Sequence, residues 1–173
     1  MPETIKLYRV FLAAPSDVTE ELDILAGALQ EWNLQHGQAL GVRVELVSWR
    51  THSYPATGDR PQALINKQAF DRSDIVIGIF WSRFGTPTGA ARSGTEEEIR
   101  RGITQQKKVL VYFSQRPTKN QKPMEHSRIA KFKREFGQRG LFWVYTDLGS
   151  FEAAFRNHLA AVMHDLLRRR RRK

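Results

Sequence analysis

At 173 residues, with 28 basic and 18 acidic side chains, a formal charge of +10 and no cysteine, the chain has the size of one globular domain. It excludes disulfides, thiolate metal sites and a cysteine nucleophile. Six of the basic residues form the closing run "RRRRRK" (168–173), which leaves 22 basic against 18 acidic in the remainder, so a solvated basic tail is expected and nucleic acid is not expected as the main ligand.

Five apolar, β-branched runs alternate with five helical patterns. "LYRVFLAA" (7–14) reads as a first strand. Over 16–35, Leu22, Leu25, Ala26, Leu29 and Trp32 form a helical stripe, with Ser16 or Asp17 as the cap and Glu20 or Glu21 in the first turn. "VRVELVSW" (42–49) alternates as a strand whose final Trp49 borders the expected crevice. "RPQALINKQAFDRS" (60–73) starts a helix with Pro61 at its first position. "DIVIGIFW" (74–81) is apolar almost throughout, which predicts a central strand buried on both faces. The segment "RFGTPTGAARSGTEEEIRRG" (83–102) runs from a loop into a third helix. "KKVLVYF" is the next strand, "MEHSRIAKFKREFGQR" a helix, "GLFWVY" a fifth strand and "SFEAAFRNHLAAVMHDLL" the closing helix.

That alternation predicts an α/β fold, a flavodoxin-like three-layer sandwich around a five-stranded parallel sheet of order 2-1-3-4-5. One domain is expected over 1–167, followed by the 168–173 tail. The crevice of such a sheet opens at the carboxyl ends of strands 1 and 3, where the order reverses. Ala14, Ser16 and Asp17 are expected on one side, and Trp81 and the residues after it on the other. No stretch approaches the ~18 apolar residues of a membrane span, and the amino terminus does not read as a signal peptide. A cytoplasmic protein with no membrane partner is expected.

The usual nucleotide and hydrolase signatures are missing: "GTPTG" has neither the lysine nor the spacing of a phosphate loop, and no dinucleotide glycine fingerprint follows the first strand. The five histidines form no metal-ligand pair, so no metal and no bound cofactor are expected. Catalysis would have to use a carboxylate. Glu96 stands four residues before Arg100 and Glu97 four before Arg101, which predicts two exposed helical ion pairs. Four residues beyond Glu98 is Gly102, which leaves room above that carboxylate; Ile99 and Ile103 define the neighbouring sheet-facing stripe. Thr95 with Glu98, and Ser93 with Glu96, both fit capping-box spacing. Spacing therefore leaves two roles open for Glu98, cap or catalyst.

The run "DIVIGIFWSRFGTPTGAARSGTEEEI", with "RVFLAAPSDVTEE" upstream, resembles a bacterial domain-of-unknown-function family grouped with the TIR superfamily. Catalytic TIR domains carry a glutamate on the helix after the third strand, where it supports cleavage of the nicotinamide–ribose bond of NAD. Nucleoside 2-deoxyribosyltransferases are similar here too, with a Gly-x-x-x-Glu-aliphatic pattern that Gly94, Glu98 and Ile99 reproduce. Their motif has an aspartate shortly before the glycine, where this chain has Arg92 and Ser93. Both resemblances select Glu98 as the catalytic residue. They imply NAD or a related nucleotide as substrate, in bacterial defence or signalling, with assembly into a homo-oligomer or with an activating protein partner. The substrate contacts expected around Glu98 are Ala14, Ser16, Asp17, Trp81, Phe84, Ser93 and Thr95. A non-catalytic self-association module and a deoxyribosyltransferase stand as the alternatives.

Overall fold

The computed structural model describes residues 4–47, 64 and 69–170. Its strands are β1 (Lys6–Ala13), β2 (Val42–Val47), β3 (Ile75–Phe80), β4 (Lys108–Ser114) and β5 (Trp143–Tyr145). The helices named here are α1 (Glu20–Trp32), α2 (Gly94–Thr104), α3 (Pro123–Gly137) and α4 (Leu148–Arg170). All pairings are parallel and the strand order is β2-β1-β3-β4-β5, as the alternation predicts. The helix expected over 60–73 falls largely outside the described residues, although Leu64, Ala69 and Phe70 are helical. Trp49 also lies outside them.

Every residue of β3 is buried, which explains its nearly unbroken apolar run. Alternate side chains of each strand feed two separate cores. Val10, Leu12, Ile77 and Tyr112 pack with Leu25 and Leu29 of α1 and Phe151 and Phe155 of α4. Phe11, Val76, Phe80 and Phe113 pack on the other side with Ile99 of α2 and Phe132 of α3.

The seat of α2 depends on two glycines. A Cβ at Gly78 of β3 would lie 2.5 Å from Ile99 Cδ1, so only glycine lets Ile99 rest on the strand. At Gly102 a Cβ would lie 3.1 Å from Val76 Cγ2 and 3.0 Å from Val109 Cγ2. The space at Gly102 is thus filled by the sheet, correcting the expectation of room above Glu98. Ile103 is 50% exposed, so it is not part of the sheet-facing stripe. Thr95, Glu98, Ile99 and Gly102 form that stripe instead.

α1 begins at Glu20 with Thr19 at its cap position and no side-chain cap bond, two to three residues later than expected, so neither Ser16 nor Asp17 caps it. Beyond Trp32 the rod continues through a π turn, Asn33–Gly37. That turn has a definite use. Asn33 Nδ2 donates to the Val44 carbonyl at 2.7 Å and Asn33 Oδ1 accepts from the Val44 N–H at 2.8 Å. One side chain thereby serves both backbone groups of Val44 on an edge strand, where unpaired groups would invite strand addition. At the other end of the chain, α4 extends to Arg170, so the basic run begins within a helix. No helix among the described residues is long and apolar enough to cross a membrane.

Candidate functional site

At the carboxyl end of the sheet, the loops after β1 and β3 are bonded to each other. Asp17 Oδ2 accepts from the Ser82 N–H at 2.9 Å, the Ser82 hydroxyl at 2.8 Å and the Arg83 N–H at 3.1 Å. Arg83 Nη1 donates to Ser16 Oγ at 2.9 Å. The two segments expected to line the crevice therefore do meet, and Asp17 is their clasp. Ser16 is exposed and Ala14 half-buried beside it.

The loop after β3 is held equally firmly from α3. Glu125 Oε2 accepts from the Phe84 N–H at 2.5 Å. Arg128 donates to the carbonyl of Gly85 at 3.2 Å and also to that of Arg92. Burial pushes the Glu125 carboxyl up, but the Phe84 N–H and the Arg128 guanidinium outweigh it and hold it below the ordinary range. Within the loop, the Thr88 N–H donates to the Ala91 carbonyl at 3.2 Å and the Thr88 hydroxyl to Glu97 Oε2 at 2.5 Å. A loop ordered in this way has a fixed shape before any ligand arrives.

Phe84 does not face the crevice. It is fully buried, stacked on Phe80 with ring centroids 5.3 Å apart and with the Arg128 guanidinium 4.8 Å from its own centroid. Its place in the core corrects its assignment as a substrate contact, because its faces are already occupied. Trp81 is half-buried and turned toward β4: its Nε1 donates to the Arg116 carbonyl at 3.1 Å, and the Arg116 guanidinium lies 4.1 Å from its ring centroid.

The helix start separates the three glutamates. Ser93 is the cap of α2, its Oγ accepting from the Glu96 N–H at 3.2 Å. Thr95 is already inside the helix and buried, so the Thr95–Glu98 capping box is not formed. Of the two capping spacings, the Ser93–Glu96 one corresponds to the real cap. Ser93, fully buried, is likewise spent on the helix rather than exposed to a substrate.

Glu96, expected on an exposed ion pair, is instead 2% exposed. Its Oε1 accepts from Arg92 Nη2 and Arg100 Nε, both at 2.8 Å, and its Oε2 from the Arg92 N–H at 3.2 Å. Arg92 continues to Glu135 of α3 at 2.6 Å. Burial pushes the Glu96 carboxyl up, but Arg92 and Arg100 outweigh it and hold it below its ordinary value. The Glu96 contact in turn drives the Arg92 guanidinium higher. Arg101, expected beside Glu97, reaches Asp71 at 2.8 Å.

Glu98 is 5% exposed and stands four residues into α2, about 6 Å along the axis from its start at 1.5 Å per residue. At 100° per residue it projects from the flank of the buried stripe opposite Glu96. The Glu96 flank meets Glu135 of α3, whereas Arg101, on the other side, meets Asp71. Glu98 is thus a buried carboxylate one turn into α2, next to Ile99, which rests on Gly78 of β3.

Sequence reasoning missed a third buried acid, on the opposite face. Glu21 of α1 is fully buried, accepting from the Tyr145 hydroxyl at 2.6 Å and Arg116 Nη2 at 2.8 Å. Burial, and then the hydrogen bond to Glu21, push the Tyr145 phenol far above its ordinary range. Among the described residues, no group of three or more histidines, aspartates and glutamates is placed to hold a metal ion.

No curated protein matches the chain. Residues 9–160 match the family described as a domain of unknown function, DUF4062, and the chain belongs to that family.

Proposed function

We propose that the chain is a TIR-like nucleotide-processing domain in which Glu98 supports hydrolysis of the nicotinamide–ribose bond of NAD, serving bacterial defence or signalling. One observation carries the reading. Capping of α2 is done by Ser93 and the first-turn acid Glu96 is held by Arg92 and Arg100, so Glu98 is buried one turn into the helix without being its cap. This fold class places its ligands outside the carboxyl ends of the strands, and α2 follows β3 at that end of the sheet.

The chemistry asks little else of the protein. As the C–N bond breaks, its electron pair leaves with the nitrogen, nicotinamide departs neutral and positive charge grows on the ribose. A carboxylate close to that carbon stabilises the charge or captures it covalently. Water then supplies the hydroxyl of the ADP-ribose product and one proton is released. No general acid is required at the leaving group. Ser16 and Arg83, bonded to each other at the exposed mouth, are the polar groups offered to the ribose hydroxyls and diphosphate. The cap role of Ser93 and the ion pairs of Arg92 stand where a deoxyribosyltransferase has its aspartate, which favours NAD hydrolysis over base exchange.

The test is nicotinamide release from NAD by concentrated or crowded protein, since activity is proposed to need assembly with further copies or an activating partner. Wild type releases nicotinamide, and Glu98→Gln reduces the rate by roughly 100-fold or more, the usual scale for losing a transition-state charge partner. Absence of turnover in the assembled wild type contradicts the proposal and leaves a self-association module. Exchange of bases between deoxynucleosides contradicts it in favour of transfer.

A further inference from the structure

Beyond Trp81, one strand away from the loops that Asp17 joins, a cavity of about 190 Å³ opens where β4 ends and α3 begins. Ser114, Arg116, Gln121, His126 and Lys133 line it together with Trp81, and no carboxylate is among the described residues that do. The connection from β4 to α3 adds Lys119 and Lys122 and contains no acid between Gln115 and Lys122. Charges of one sign gathered around a concave surface focus the field there and raise the local concentration of anions.

The lining is built rather than merely solvated. Lys133 is half-buried, its ammonium 5.6 Å from the Phe113 ring centroid and 5.3 Å from that of Phe142. A cation held over two aromatic faces keeps its position without a carboxylate partner. Arg116 is fixed by Glu20 at 2.7 Å, by Glu21 at 2.8 Å and by the Trp81 ring, so its charge is compensated and it serves as a wall, leaving Lys133 as the charge offered to an anion. The start of α3 at Lys122 has no side-chain cap. Pro123, its first residue, has no N–H, so the Met124 and Glu125 N–H groups supply the positive partial charge at this rim, while the Glu125 carboxylate is turned to the Phe84 N–H.

We propose that this cavity binds a phosphate group, free or as the phosphate of a nucleotide monoester, with Lys133 as its principal cation and Gln121 as a hydrogen-bond donor. Its size suits a phosphate and part of a sugar, and Lys133, together with the second hydrogen of the Gln121 amide whose Nε2 also donates to the Trp81 carbonyl at 3.5 Å, can donate to it. The site is separate from Glu98, so its occupancy does not depend on the hydrolysis reading.

Titrating the amide chemical shifts of residues 114–121 at low ionic strength tests the proposal, with inorganic phosphate, AMP and adenosine as probes. Phosphate and AMP are expected to give saturable shifts, with adenosine giving none, and Glu98→Gln is expected to bind as wild type does. Lys133→Met keeps the stem on the two rings and removes the charge; it is expected to weaken both anions about tenfold, the scale of one charge-assisted hydrogen bond. Gln121→Ala, an independent variant at a half-buried position, is expected to weaken them about threefold. Saturation by phosphate alone would mark a free-anion site, and tighter saturation by AMP a nucleotide site; both support the proposal. No saturable shift, unchanged binding in a folded Lys133→Met or Gln121→Ala, or adenosine bound as tightly as AMP would each overturn it.

Discussion

Glu21 and Glu96 are buried carboxylates near the starts of two helices on opposite faces of one sheet, and they are held in different ways. Glu21 relies on one guanidinium, Arg116, together with the neutral Tyr145 hydroxyl. Glu96 has two arginines and a backbone N–H, and it shares both arginines with Glu135. The first arrangement ties α1 to the ends of β4 and β5 through a single cation. The second spreads charge over the junction of α2 and α3, so no single member carries all of it. Burial of an acid in this fold is therefore not by itself a mark of catalysis, since at Glu21 and Glu96 it builds the scaffold.

Removing the lone cation is expected to have the largest effect on stability. Arg116→Ala leaves Glu21 buried with only Tyr145 for company and should cost about 3 kcal/mol, the scale for stranding one member of a buried ion pair. Urea denaturation measures it. A loss below 1 kcal/mol, on the scale of an exposed pair, would mean that the pair is weakly coupled. A smaller effect is expected at the start of α2. Ser93→Ala removes the cap from the Glu96 N–H and should cost about 1 kcal/mol by the same measurement, whereas Thr95→Ala leaves the cap intact. A larger capping loss at Thr95 would return Glu98 to a capping role.

The gentlest probe is acid. Glu96, Glu125 and Glu135 all have folded-state carboxyls below their ordinary value of 4.5. A depressed folded value means the folded state holds fewer protons than the unfolded chain in that range. The stability from these groups is complete above about pH 4.5 and is lost as pH falls through the folded values. Glu96→Gln should flatten that decline, and an unchanged acid slope would show that its arginine pairs contribute nothing net.

The fold was legible in the sequence because periodicity reports burial directly. The unbroken apolar run at 75–80 is the central strand, and the alternation of elements yields the strand order. The site was legible only where its determinants are local. Ser93 and Glu96 stand at capping distance and do form the cap, but Thr95 and Glu98 have the same spacing and do not. Only the backbone conformation at Ser93 separates them. Long-range contacts left no local pattern. Asp17 meets Ser82 across 65 positions, and Glu21 meets Arg116 across 95. A charged residue in a first helical turn reads as solvated until a distant strand end brings its partner. Phe84 was misread for a related reason, since a lone aromatic in a loop does not disclose that Phe80, Phe132 and Arg128 cover its ring.

Glu98 is the third buried glutamate among the described residues, and its chemistry is the central claim. The most direct measurement is nicotinamide release from NAD by the assembled protein, wild type against Glu98→Gln, with the melting temperature of each recorded. The account predicts turnover in the wild type and a roughly 100-fold or greater loss in a variant that stays folded and assembled. Equal turnover in the two proteins, or none in the assembled wild type, would contradict it.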